Sequence, residues 1–118
     1  MRIVPIAFLT LAAMSFVSCA TTKPLYNWAG YEQAAYGYLK NLDEPSEAAL
    51  IKAYQDIIAK KADGTGTRKA VPPGVYADYG YLLLKQGKAK EGKEMLATEI
   101  ALYPESQPLV ARILEMTK

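Results

Sequence analysis

The 118-residue chain has no histidine and a single cysteine. Without histidine there is no Ser–His–Asp triad and no imidazole metal ligand. One cysteine allows neither an internal disulfide nor a multi-cysteine zinc site. Charge of one sign is also scarce: 14 Lys+Arg against 12 Asp+Glu leave a formal net charge of +2, far short of a nucleic-acid-binding footprint. The longest apolar run, Ile3–Val17, covers about fifteen residues and falls short of the roughly 20 that a membrane-spanning helix needs. What is present is ordinary for a folded chain, with 51% hydrophobic and 22% charged residues, and the length suits one domain. Nine tyrosines and one tryptophan are the unusual enrichment.

The N-terminus reads as a targeting segment. Arg2 supplies a positive start, the apolar run follows, and Phe16-Val17-Ser18-Cys19 places a small residue directly before the cysteine. This resembles the lipobox of bacterial lipoproteins, with phenylalanine where leucine is commoner. The resemblance implies a signal peptide over residues 1–18 and lipidation of Cys19. An ordinary secretory signal with a chance cysteine is the competing reading. One acyl chain holds a protein only marginally, at about 0.8 kcal/mol per buried methylene, so a triacylated cysteine is what makes such an anchor permanent. Ala20, where these lipoproteins carry aspartate for inner-membrane retention, points to the outer membrane, with the protein facing the periplasm.

Beyond the anchor, residues 19–29 read as a tether and residues 30–118 as a helical domain. Tyr31, Ala35, Tyr38, Leu39 and Leu42 recur at helical spacing, and Asp43-Glu44-Pro45 restarts the chain into a second stripe of Leu50, Ile51, Tyr54, Ile57 and Ile58. Residues 62–74, with three glycines, two prolines and Arg68-Lys69, read as a flexible loop. A third helix from Val75 presents Tyr76, Tyr79, Gly80 and Leu83 and stops at Gly87. A fourth, near Ala89–Tyr103, places Ala89, Gly92, Leu96 and Tyr103 on one side with Ile100 beside them. Ser106 is then a candidate cap for a last helix bearing Leu109, Val110, Ile113 and Leu114. No segment alternates with period two, so the fold class is all-α: about five amphipathic helices in antiparallel hairpins.

No chemistry emerges from the remaining motifs. Glu91 and Glu94 lie among Lys88, Lys90 and Lys93, as on a solvated helix face. Gly64-Thr65-Gly66-Thr67-Arg68-Lys69 lacks the spacing of a phosphate-binding loop and follows a helix rather than a strand. The expectation is therefore a non-enzymatic protein with no metal, no cofactor and no nucleic-acid partner.

Counted from Pro73, Gly80, Gly87 and Gly92 fall at the eighth, fifteenth and twentieth places, with Leu96, Leu102 and Pro104 further on. That layout resembles a tetratricopeptide repeat, a helical hairpin of about 34 residues. Tyr76 stands where the repeat prefers tryptophan and Glu99 where it prefers alanine. Gly92 should mark the closest approach of the third and fourth helices. A leucine there should overpack the hairpin, whereas Gly92→Ala should be tolerated through its gain in helix propensity.

Most aromatic residues are assigned to the core. Tyr36 and Tyr81, off the apolar stripes, are expected to be exposed, and together with Trp28 they are candidate partner-binding residues. The repeat resemblance implies that the first helix of each pair lines a concave face, which adds Lys85 beside Tyr81 as its outward positions.

Pro24-Leu25-Tyr26-x-Trp28, Tyr31-Glu32, Tyr36-x-Tyr38-Leu39-Lys40, Pro72-Pro73-Gly74 and Tyr103-Pro104-Glu105-Ser106 together resemble domain-of-unknown-function family 4810, small proteobacterial lipoproteins. The resemblance implies helical, repeat-like periplasmic proteins encoded beside lipoproteins similar to the curli secretion channel, with no catalytic residue defined. The expected function is that of an outer-membrane-anchored interaction or accessory factor for an envelope assembly or secretion complex. The alternative is a purely structural component of such a complex.

Overall fold

The computed structural model describes residues 22–64 and 66–118. The signal segment 1–18 and Cys19 lie outside the described residues. Among these the chain is all-α, with five helices and no strand: α1 Tyr31–Asn41, α2 Glu44–Ala59, α3 Val75–Lys85, α4 Ala89–Leu102 and α5 Gln107–Met116. A 3₁₀ turn, Pro104–Ser106, joins the last two. Helices α1 and α2 form one hairpin and α3 and α4 a second, with α5 packed on the second.

Local chemistry sets the boundaries. At α2, Asp43 accepts from the Ser46 backbone N–H at 3.0 Å while the Asp43 N–H donates to Ser46 Oγ at 3.3 Å, a reciprocal capping box with Pro45 in the first turn. The Ser46 side chain first, and then its backbone N–H, hold the Asp43 carboxyl below the ordinary aspartate range. At the end of α3, Gly87 adopts φ +80°, its N–H donates to Leu84 O, and the Lys88 N–H donates to Leu83 O. That pair is a Schellman closure, which needs the left-handed conformation glycine adopts freely.

The two helices of the second hairpin meet backbone to backbone. A β-carbon on Gly80 would stand 2.8 Å from Gly92 O, and one on Gly92 would stand 2.9 Å from Gly80 O and 2.7 Å from Leu84 Cγ. Gly92 does mark the close approach, but an alanine there collides with a carbonyl. Steric conflict outweighs the propensity gain, so Gly92→Ala is not the tolerated change that helix propensity alone suggests.

Four other expectations need revision. Leu39 and Leu42 share the helical spacing of α1 yet are 73% and 70% exposed, because α1 faces its neighbours through Tyr31, Ala34, Ala35 and Tyr38. Residues 62–74 contribute buried Val71 and Pro72 to the core, and Tyr103 Oη donates to Val71 O at 2.6 Å. The tether is bound to the same segment from Pro24 onward: Thr67 N–H donates to Pro24 O at 3.0 Å, and Arg68 N–H to Leu25 O at 2.7 Å. Asn27 Nδ2 adds bonds to Lys60 O and Asp63 O. Ser106 precedes α5 but makes no side-chain cap; its hydroxyl donates instead to Glu99 Oε1 at 2.8 Å.

Glu99 is fully buried. Its Oε1 also accepts from the Gly74 N–H at 2.8 Å, at the start of α3. Gly74 has no side chain with which to cap that helix, so a carboxylate from α4 serves its N-terminus, where the helix dipole favours negative charge. The residue that departs from the repeat pattern thus ties α3, α4 and the 3₁₀ turn together. Glu99 Oε2 is buried without a hydrogen-bond partner.

Candidate partner-binding groove

Helices α1 and α3 each pack on α2, and residues of all three line a groove of about 200 Å³. Tyr31, Tyr38 and Leu39 form the α1 wall, Asp78 and Tyr81 the α3 wall, and Leu50 and Tyr54 from α2 the floor. Tyr31 and Tyr54 belong to a series of rings that runs past the groove: Trp28 to Tyr31 at 5.2 Å, Tyr31 to Tyr54 at 5.6 Å and Tyr54 to Tyr79 at 6.2 Å between centroids, all tilted. Such offset pairs add to the area they bury and hold one another's orientation. Gln55 Nε2 donates to Tyr79 Oη at 3.1 Å and ties the last ring to α2.

Lys85 Nζ donates to Tyr38 Oη at 3.0 Å and to Glu47 Oε2 at 3.4 Å, and stands 5.7 Å from the centroids of both the Tyr38 and Tyr81 rings. Gln86 Nε2 holds the other Glu47 oxygen at 3.1 Å. The Tyr38 hydrogen bond, followed by the Glu47 carboxylate, raises the Lys85 ammonium above its ordinary range. Asp78 lies toward Tyr54. The residue as a whole is open to solvent, yet its carboxyl is crowded against the floor, and this desolvation, with Glu99 nearby, raises its pKa. Burial, with Asp78 second, pushes the Tyr54 phenol well above its ordinary range, so that ring stays neutral.

The four expected partner-binding residues do not converge on one patch. Tyr81 lines the α3 wall, and Lys85 stands 5.7 Å from the centroid of its ring, as their spacing of four implies. Tyr81, however, is half-buried and packs against both core clusters, so it is not the exposed ring expected. Its position between stripes places it at their junction. Tyr36 is 67% exposed but lies beside Glu32 and Gln33, outside the groove. Trp28, 41% exposed, stands on Tyr31 at the head of the ring series.

Sequence reasoning missed the roles of Tyr38, Glu47 and Asp78. Tyr38 counted as an ordinary stripe residue, and the two acids belong to helices brought together only by the fold. Among the described residues, no three His, Cys, Asp or Glu side chains are grouped closely enough to hold a metal ion. No described helix is long and apolar enough to cross a membrane.

Residues 25–113 match the family described as Domain of unknown function (DUF4810). The chain belongs to this family. The matched span opens with the segment bound to residues 67 and 68 and runs into α5, so the DUF4810 unit includes both hairpins and the groove. Neither the curated proteins nor the solved structures include a match to the chain.

Proposed function

We propose that this DUF4810 protein is a lipid-anchored lipoprotein of the outer membrane, facing the periplasm, that binds another envelope protein through the groove between α1 and α3. The anchor rests on Cys19 and the apolar run before it. The binding role rests chiefly on one observation: Leu39, 73% exposed, projects from the groove wall next in sequence to Tyr38, the ring that with Glu47 holds Lys85. An uncovered apolar side chain next to pre-oriented rings and a held charge offers contact area at little ordering cost. The partner belongs to an envelope assembly or secretion complex of the kind the family resemblance implies, similar to the curli-type channel. No residue is given a catalytic role.

Two experiments test this. Cys19→Ala should abolish labelling by a palmitate analogue; equal label on wild type and variant would refute the anchor. Tyr81 is a poor probe of binding because it packs into the core. Leu39→Glu combined with Lys85→Ala should weaken partner co-purification at least tenfold, or about 1.4 kcal/mol, with the melting temperature nearly unchanged. Undiminished co-purification would reject the groove. A chain that is stable only inside one complex would support the structural-component role instead.

A further inference from the structure

The basic residues are unevenly placed. Residues 22–29 and 60–69 hold Lys23, Lys60, Lys61, Arg68 and Lys69 against one acid, Asp63. The other described residues hold eight basic side chains against eleven acidic ones. The fold joins the two basic segments. Thr67 N–H and Arg68 N–H donate to Pro24 O and Leu25 O, and Asn27 Nδ2 donates to Lys60 O and Asp63 O. Arg68 Nη1 also donates to Tyr26 Oη at 3.1 Å. The joint is tight as well as bonded: a β-carbon on Gly66 would stand 2.6 Å from Asn27 N, and one on Gly64 would stand 2.7 Å from Asn27 Nδ2. Beside it lies a cleft of about 730 Å³, which Lys23 and Lys69 line together with Thr22 and Thr67.

We infer that this basic joint docks on an anionic phospholipid surface, the membrane in which the chain is anchored, and so holds the helical domain in one orientation there. The inference rests on the lipid anchor proposed at Cys19. It does not rest on the α1–α3 groove, whose lining shares no residue with this cleft. Chain length identifies the occupant. Four residues of fully extended chain span about 14 Å, so Lys23 lies no further than that from the acylated cysteine. The attraction of an anionic surface decays over about 8 Å at physiological ionic strength, a distance of the same order. The bonds to residues 60–69 carry this proximity from the tether into the domain. Headgroups are within reach of the joint at all times, whereas any other partner must first arrive by diffusion.

The test uses the full acylated chain in nanodiscs of phosphatidylcholine, or of an equal mixture of phosphatidylcholine and phosphatidylglycerol. Each disc carries the same small fraction of nitroxide-headgroup lipid, a short-range quencher. A fluorophore on Ala62→Cys, an exposed position beside Lys61, reports contact. The one native cysteine is the acylated residue, so only the new thiol takes the label. Quenching should be strong on the mixed discs, weak on the neutral ones and lost in high salt. Lys23→Glu with Lys69→Glu should lower the docked-to-undocked ratio about tenfold, with the melting temperature nearly unchanged. Lys90→Glu with Lys93→Glu makes the same change in net charge at the end of α4 remote from Tyr103, which bonds Val71, and should leave quenching in place. Equal quenching on the two discs, or equal loss with both charge reversals, overturns the docking while the anchor stands. A cross-linked dimer that forms on neutral discs and is abolished by Lys23→Glu with Lys69→Glu also overturns it, giving the joint to a second copy. A chain that does not stay with the neutral discs at all refutes the Cys19 anchor, and this inference falls with it.

Discussion

The two hairpins share a topology and hold together by different means. In α3–α4 the backbones touch: Gly80 and Gly92 bring each carbonyl within reach of the other helix, and Ala77 and Leu96 fill the remaining space. In α1–α2 the rings of Tyr31 and Tyr54 stand between the helices, and α1 has no fully buried residue. Close packing of backbones tolerates no added volume, whereas an interface of rings keeps the backbones apart and leaves α1 without a buried residue. The contrast suits the proposed role, because the groove opens between the tightly held α3 and the lightly held α1.

Three perturbations sharpen or break this contrast. The largest effect is expected from Glu99→Ala, which empties a buried site and strips the Gly74 N–H of its acceptor. It should cost about 1–3 kcal/mol, read in a denaturant melt. A neutral outcome would show that the second hairpin does not depend on the α4 carboxylate.

Next comes a matched pair of glycine changes. Gly92→Ala drives a β-carbon to 2.9 Å from Gly80 O, so a cost of about 1 kcal/mol should remain after the propensity gain. In α1, a β-carbon on Gly37 meets nothing within 4 Å, so Gly37→Ala should stabilise by up to about 1 kcal/mol. Thermal melts giving the same sign for both would remove the distinction between the hairpins.

The smallest effect is a pH dependence of opposite sign at two aspartates. Asp43 has a depressed pKa in the folded state, so its contribution is complete above its unfolded value and is lost as pH falls through the folded one. Asp78 has a raised pKa, so ionising it opposes folding, and stability declines as pH rises from its ordinary value through its folded one. Asp43→Ala should therefore flatten the acid limb of the stability profile, and Asp78→Asn should lift the profile above it. Melts from strongly acidic pH, below the ordinary aspartate value, up through the mildly acidic range distinguish the two, and a parallel response would contradict the assignment of Asp78 to a desolvated wall.

Much of the architecture was legible in the chain because it is written in local rules. Asp43-Glu44-Pro45 is a start signal, Gly87 a stop signal, and Gly80 with Gly92 a statement about helix separation, each acting within a few residues or one hairpin. The groove was half legible. Tyr81 and Lys85 follow from their spacing on one helix, but Tyr38, Glu47 and Asp78 joined them only through the packing of α1 and α2 on α3. Helical periodicity reports that a face is apolar without saying whether another element covers it, which is why Leu39 and Leu42 read as core and stand in solvent.

The sequence by itself determined the all-α class, the helix boundaries and the point of closest approach, since capping, left-handed turns and small-residue spacing are properties of short stretches of chain. Tertiary structure alone decided that Ser106 would serve Glu99 rather than α5, and that Glu99 would cap a helix to which it does not belong. A buried carboxylate takes the donors it finds at its depth in the fold, and those donors are 25 residues before it and seven after.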